Sequence, residues 1–378
     1  MRKIVICTLG TSLFYPNLSS IPENNEELAG LRRAYLERNW EALAEELYCR
    51  DPKDRICGAE INSMASLLEE GLISERGSLY LCHSDTQDGH DVAEVLKNYY
   101  RRSEWQVTTE QIEGLHDENP KSFRTRGLRN LAKTISRIVR ESGSPELCAI
   151  NATGGYKAQI AIAVMLGQVF DIPVYYKHER FPMIISLPPL PISLDFRYWV
   201  KKCGVLLSLD KEDILPSSAL EEDWDEKMEA LVEREKIDGV QYVELSPLGA
   251  IFLEAFKSYF ERQSTSLLPI AVDPAAKKAV RLSDHSWGGA HTKVKAFLQK
   301  IVDLVPYVKE VKTDYLNPDL PKASYFRLRG SDKIEGVLSN GTWTVKFIVF
   351  TSASNPSQLE SAVADLNIRL NRGDFGSV

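Results

Sequence analysis

The stretch Leu147-Cys148-Ala149-Ile150-Asn151-Ala152-Thr153-Gly154-Gly155-Tyr156-Lys157 decides how this chain is read. A short apolar run stops at a Thr-Gly-Gly turn, and an apolar helix over 158–169 follows at once. The N-terminus repeats the pattern, with an apolar strand from Met1 to Leu9 that stops at Gly10-Thr11-Ser12. A strand, a Gly/Thr/Ser turn and a helix start leave backbone N–H groups and hydroxyls at the carboxyl end of a sheet. Amide donors and the helix dipole both favour phosphate there. Neither turn has the G-x-x-x-x-G-K-[ST] or G-x-G-x-x-G spacing. A phosphate ligand is therefore expected to be held by another scheme.

Working outward, the first 200 residues alternate short apolar runs with amphipathic helices. Strands are predicted at Lys3–Leu9, Ser78–His83, Trp105–Ile112, Leu147–Ile150, Pro173–Tyr176 and Met183–Leu187. Helices are predicted at Asn25–Tyr48, Glu60–Glu70, Asp91–Tyr99, Phe123–Glu141 and Tyr156–Phe170. Such alternation argues an α/β domain with a parallel, doubly wound sheet, whose ligands bind outside the carboxyl ends of the strands. Three turns converge on that edge by this reading: Gly10-Thr11-Ser12, His83-Ser84-Asp85-Thr86 and Thr153-Gly154-Gly155.

A chain of 378 residues, 43% hydrophobic and 26% charged, is expected to hold two or three soluble domains. No apolar run reaches the length of a membrane span, and the N-terminus reads as a strand rather than a signal peptide. Six cysteines (7, 49, 57, 82, 148, 203) include no CxxC pair. They read as reduced core residues, not as disulfides or metal ligands, and the expected location is the cytoplasm. Net charge is −7, but from Ser266 onward 15 Lys/Arg stand against 11 Asp/Glu, so that third carries +4 and the rest −11. Only the last domain is expected to meet a polyanion.

Pro188-Pro189-Leu190-Pro191 punctuates the end of the first sheet, and a solvated, partly helical acidic linker is expected over Asp210–Glu235. The strand Val240–Leu245, the Ser246-Pro247 helix start and the helix Ala250–Arg262 are similar to the end of a winged helix. Its acidic surroundings favour a structural or dimerising role over DNA binding, since phosphate affinity needs cations. After a linker at Ser264–Pro274, an α+β domain is predicted. Its elements are a strand (Ala279–Leu282), a Gly288-Gly289 loop, a helix (Thr292–Leu304), strands at Val308–Lys312, Ser324–Arg329, Lys333–Leu338 and Thr342–Thr351, and a closing helix (Pro356–Leu370). Asn340-Gly341 is a strong hairpin signal. The expected domains are 1–200, 201–265 and 266–378.

Leu9-Gly10-Thr11-Ser12 and Asn151-Ala152-Thr153-Gly154-Gly155-Tyr156-Lys157 resemble the motifs of CARF domains, the Rossmann-like sensors of type III CRISPR systems. The resemblance implies a homodimer that binds cyclic oligoadenylate, most commonly cyclic tetra-adenylate, across its two-fold axis. It implies that Gly10, Thr11, Ser12 and Ser84 line the site, that Thr11 and Ser12 touch phosphate or ribose, that Thr153-Gly154-Gly155 offers backbone donors, and that Lys157 supplies a cation. It also leaves open a ring-nuclease activity toward the ligand through Ser12 and Lys157. The last domain resembles RelE-type mRNA interferases in element order, in Tyr325-Phe326-Arg327-Leu328-Arg329-Gly330, in the hairpin and in the final helix. That implies metal-independent, cofactor-free cleavage of mRNA in the ribosomal A site. The chain departs from that pattern at Thr351-Ser352-Ala353-Ser354, where an arginine is common, and it lacks a terminal tyrosine.

Metal-free RNA cleavage uses the substrate's own 2′-OH, which must be deprotonated while charge on phosphorus is neutralised and the leaving oxygen protonated. Arg327 and Arg329 fall on one strand face by period 2 and are candidates for a phosphate clamp. Lys333 opens the next strand, and His285 and His291 flank Gly288-Gly289 as candidate acid or base. Two other readings stay open. Asp332 and Glu335 suggest a metal-dependent PD-(D/E)xK nuclease, and the acidic winged helix suggests a ligand-controlled transcription regulator without catalysis. A HEPN R-x(4–6)-H motif is absent from the last third; Arg76 to His83 fits only formally, because it runs into a strand.

Overall fold

The apolar runs of the first half become β1 (Arg2–Thr8), β2 (Ile73–Ser84), β3 (Gln106–Ile112), β4 (Cys148–Asn151), β5 (Val174–Tyr176) and β6 (Ile185–Leu187). Their order in one sheet is β3-β2-β1-β4-β5-β6. β1 to β5 are parallel, and β6 runs antiparallel to β5. The helices between them are α1 (Ala29–Leu36), α2 (Trp40–Tyr48), α3 (Gly58–Glu69), α4 (Gln87–Arg101), the single turn α5 (Pro120–Ser122), α6 (Leu128–Glu141) and α7 (Lys157–Phe170). Val5, Ile6 and Cys7 of β1 and Cys148, Ala149 and Ile150 of β4 are all buried. Consecutive burial means that both faces of the sheet are covered, which is why these strands read as unbroken apolar runs. The computed structural model describes residues 1–178, 181–191, 194–220, 224–283, 291–317, 323–330, 333–341 and 343–376. It divides into two units, Met1–Ser193 and Leu194–Val378.

Two helix expectations in the first unit change. The single helix expected over Asn25–Tyr48 breaks at Arg38, whose φ of 53° is left-handed. Asn39 then caps α2 by accepting the Ala42 N–H at 3.1 Å, so a good capping side chain ends one helix to begin another. The helix expected from Phe123 opens as a wider turn over Phe123–Gly127 and becomes α-helical at Leu128. Gly127 lies against the Gly114 carbonyl, where a Cβ would come within 2.6 Å.

The second unit begins with α8 (Phe196–Glu212), a helix absent from the sequence reading. Trp199, Val200, Cys203, Leu206, Leu207 and Leu209 make its buried stripe. There follow β7 (Leu215–Pro216), β8 (Val232–Ile237), β9 (Val240–Leu245) and α9 (Pro247–Leu267), with the strands ordered β7-β9-β8. The linker expected to be solvated and partly helical instead contributes strands β7 and β8, because Leu220, Met228 and Val232 anchor it in the core between acidic neighbours. Asp238 and Gly239, both at positive φ, turn the β8–β9 hairpin, the backbone that a two-residue turn of this hand needs. The linker expected at Ser264–Pro274 is helical at its start, since α9 runs on to Leu267.

Next come α10 (His291–Leu304), β10 (Val308–Asn317), β11 (Tyr325–Arg329), β12 (Lys333–Ser339), β13 (Thr344–Thr351) and α11 (Pro356–Arg372). The sheet is antiparallel in the order β10-β13-β12-β11. The strand expected over Ala279–Leu282 shrinks to one bridge between Arg281 and Lys312. Gly341 takes φ 88° in the β12–β13 turn, while the Asn340 side chain accepts the Trp343 N–H at 3.1 Å. The turn is therefore longer than a two-residue hairpin loop. Residues of α8, α9, α10, this sheet and α11 share one hydrophobic core. No described helix is long and apolar enough to cross a membrane, and all six cysteines are free.

The edge strand β11 is covered from an unexpected direction. The Asn367 amide on α11 accepts the Phe326 N–H and donates to the Phe326 carbonyl, both at 2.8 Å. A side chain thus completes the pairing that a further strand would otherwise supply. Asn367 is buried, so Asn367→Ala leaves two backbone groups unsatisfied and is expected to cost about 3 kcal/mol. Urea denaturation of the variant beside the wild type measures this, and a change under about 0.5 kcal/mol, the scatter of an ordinary surface substitution, would refute it.

Candidate functional site

In the first unit the chain runs from β1 outward to β2 and β3, then returns to the other side of β1 for β4 and β5. The switch point lies between β1 and β4, where open parallel sheets take their ligands. The two glycine turns meet there. The Thr8 hydroxyl donates to the Gly154 carbonyl at 2.6 Å. A Cβ on Gly10 would fall 2.7 Å from the Gly155 nitrogen, so the loops touch backbone to backbone. Gly155 has φ 98°, a conformation that suits glycine alone among ordinary residues.

Helix α3 props both loops from below. Glu60 Oε1 accepts the Gly10 N–H at 2.7 Å. Ser63 Oγ accepts from Asn151 Nδ2 at 2.8 Å, and Asn151 Oδ1 in turn accepts the Thr153 hydroxyl at 2.7 Å. The Thr153 Oγ1 accepts the Lys177 N–H at 3.0 Å, and Ser12 Oγ accepts the Ala59 N–H at 3.4 Å. Of the expected ligand residues, Gly10 and Thr153 therefore use their donors inside the protein. Ser84 is buried, and its hydroxyl meets Thr86 Oγ1 at 2.8 Å; Thr86 caps α4 through the Gly89 N–H. Ser84 thus serves the start of α4.

What remains available is narrower than three turns. The amides of Gly154 and Gly155 have no hydrogen bond among the described residues. Thr11 is exposed. Lys157 is exposed and, among the described residues, has no ion-pair partner. It is the first residue of α7, whose first turn has no acidic residue. A cation at a helix N-terminus opposes the dipole, so this position gathers positive potential that the fold itself does not neutralise. The arrangement is suited to an anion.

Glu60, Ser63 and Asn151 are invisible to motif reading. Each is an ordinary polar residue in sequence, and only the packing of α3 under β1 and β4 brings them to the loops. His83, at the end of β2, is buried, and its Nδ1–H donates to the Ser84 carbonyl at 3.0 Å. Burial pushes its imidazole below the ordinary histidine range, so His83 is neutral near pH 7.

The second candidate site lies on one face of the β10–β13 sheet. Opposed residues across antiparallel strands share a face, which places Lys312, Ile348, Glu335 and Arg327 in one row and Tyr315, Lys346, Val337 and Tyr325 in another. Arg327 Nε and one terminal nitrogen lie 2.7 and 2.6 Å from Glu335 Oε2. Arg329 reaches Glu335 Oε1 at 3.3 Å and also pairs with Asp314. Both arginines thus share one carboxylate that is itself 3% exposed. Asp314 and then Glu335 push the Arg329 guanidinium further up. Lys333 opens β12 on the same face and is exposed. Tyr315 and Phe350 are exposed there too, with Lys312 Nζ 5.1 Å above the Phe350 ring. His291 starts α10 and is exposed; His285, Gly288-Gly289 and Asp332 lie outside the described residues. Among the described residues no group of three His, Cys, Asp or Glu side chains could hold a metal.

Residues 55–190 match the model of a family described as CRISPR-associated protein (Cas_APE2256). The match covers a minority of the chain and lies wholly in the first unit. Among solved structures, the chain is similar to Can2 from Sulfobacillus thermosulfidooxidans in complex with cyclic tetra-adenylate. The identity is 10%, the coverage 71% of this chain and 68% of that one, and the TM-score 0.26. So distant a likeness fixes neither fold nor function.

Proposed function

We propose that this chain is a cyclic oligoadenylate-controlled ribonuclease of CRISPR defence, with a CARF-type sensor in its first unit and an mRNA-cleaving domain at its C-terminus. The observation that carries the reading is the switch point: Gly154 and Gly155 amides without partners among the described residues, beside a Lys157 at the start of α7 that has no ion-pair partner among them, in a segment that matches a CRISPR-associated family. A phosphodiester ring supplies the anions that such a site lacks. Cyclic tetra-adenylate is the ligand to test first.

The outer face of α7 supports a homodimer. Ala161 and Met165 are exposed there, with Ile160, Val164 and Val169 half-buried. A helix apolar on both sides asks for a second apolar surface, and a second copy would set two glycine sites around one symmetric ring. Met165→Asp is expected to convert dimer to monomer in size-exclusion chromatography. A wild-type protein that elutes as a monomer would remove the dimer from the reading.

In the C-terminal domain the sheet face that carries Arg327, Arg329, Lys312, Lys333 and Lys346 supports an RNA-facing surface, and Tyr315 and Phe350 offer rings for unstacked bases. Glu335 fixes the planes of both guanidiniums, each of which carries five N–H donors. A scissile phosphate set against that pair gains charge neutralisation as its 2′-OH attacks, with proton transfer assigned to a histidine, His291 or, outside the described residues, His285. The pairing of Glu335 with two arginines favours this metal-independent reading over the PD-(D/E)xK alternative. The segment 201–265 is read as a winged-helix-like connector. The test is mRNA cleavage in a translating extract with and without cyclic tetra-adenylate. Ligand-dependent cuts inside ribosome-bound message support the reading. Intact mRNA together with a gel shift of duplex DNA would replace it with the transcription regulator.

A further inference from the structure

Beneath the two glycine loops lies a carboxyl that no ion pair among the described residues explains. Glu60 stands in the first turn of α3, 3% exposed. Its Oε1 holds the Gly10 N–H at 2.7 Å, and a Cβ on Gly154 would lie 2.1 Å from that same oxygen. The carboxyl therefore presses on both loops at once. Its Oε2 is buried with no hydrogen-bond partner among the described residues.

The groups that face it are neutral. From β1 comes the Cys7 thiol, from the following loop the Ser12 hydroxyl, and from α4 the Tyr100 hydroxyl, which donates to the Glu60 carbonyl at 3.3 Å. Burial pushes Cys7 and Tyr100 up, so both keep their protons. Burial likewise pushes the Glu60 carboxyl above the usual carboxylate range, and the Gly10 amide, its own backbone N–H and the Ser12 hydroxyl pull it only partly back. No described lysine, arginine or histidine pairs with it.

We propose that Glu60 is the positioning residue of the glycine-loop site and holds a proton when an anion is bound on the loops, so that ligand binding is coupled to protonation of Glu60. This rests on the loops being a ligand site. The Gly10 bond sets the spacing of the two loops, and a neutral carboxyl does so without repelling the ligand. An anion above the loops disfavours the charged form of the carboxyl below them. Binding then takes up a proton from solvent, and affinity falls as pH rises through the Glu60 transition, by up to about tenfold per pH unit for one linked proton.

Two measurements on the full chain test this. The first needs no ligand: thermal unfolding of wild type and Glu60→Gln across pH 4 to 8. A carboxyl raised in the folded state contributes stability below its unfolded value and loses it as pH rises through the folded one. The wild type should therefore lose stability with rising pH relative to Glu60→Gln, and parallel profiles would overturn a Glu60 carboxyl raised by folding. The second is calorimetric titration with cyclic tetra-adenylate in buffers of different ionisation enthalpy. At a pH where the ligand-free profiles show Glu60 ionised, wild type should take up a proton on binding, and Glu60→Gln should bind without one. Binding by the wild type with no proton uptake would overturn the coupling. If the wild type fails to bind, the ligand reading falls, and the ligand-free profiles alone decide the role of Glu60.

Discussion

Arg329→Ala is expected to slow cleavage of ribosome-bound mRNA by roughly 10²–10³-fold, with folding and ligand binding unchanged. The side chain is 52% exposed, and its removal leaves Glu335 still held by Arg327 at 2.6 Å. The cation lost is the more accessible of the pair, placed to meet a phosphate whose charge grows in the transition state. Arg327→Ala is a poorer test. It withdraws the main partner of a buried carboxylate, and stranding such a charge costs about 3–5 kcal/mol, so lost activity would mix chemistry with unfolding. Single-turnover cleavage in a translating extract measures the effect. An Arg329→Ala protein that cuts at the wild-type rate removes this residue from the site. Cleavage that persists when the target nucleotide carries 2′-deoxyribose would exclude the transphosphorylation mechanism altogether.

Lys157→Ala should weaken cyclic tetra-adenylate by at least about tenfold, because a charge-assisted phosphate contact contributes about 1.5–3 kcal/mol. Stability should move the other way. Lys157 opposes the dipole of α7 and has no ion-pair partner among the described residues, so its removal is expected to leave the melting temperature unchanged or slightly higher. A structural lysine would show the reverse pattern, with lower stability and unchanged affinity. Calorimetry and thermal unfolding on the same sample separate the two, and unchanged binding would refute the role given to Lys157.

Much of the first unit was legible because its rules are local. Buried parallel strands such as β1 and β4 are continuous apolar runs, and each of the six strands of the sheet appears within a few residues of its expected place. Helices were harder wherever a single residue outweighed periodicity, as at Asn39, whose cap divides one amphipathic pattern into α1 and α2. In the second unit the acidic composition around Leu220, Met228 and Val232 hid a packed segment, because three buried anchors leave little trace among charged neighbours.

The sites divide along the same line. Gly10, Gly154, Gly155 and Lys157 follow from sequence, since glycine at a strand end and a lysine at a helix start are unusual local choices with local causes. The partners of those residues do not. Glu60 is 50 residues from Gly10, and Asn151 is 88 from Ser63; such contacts exist only after α3 packs beneath β1 and β4. Likewise, period 2 puts Arg327 and Arg329 on one face, but the buried carboxylate that holds them both comes from the register of β11 on β12. Backbone pattern and turn chemistry are written in neighbouring residues. Which charges are paired, and which are left for a ligand, depends on distances between residues far apart in the chain, and those only the folded arrangement decides.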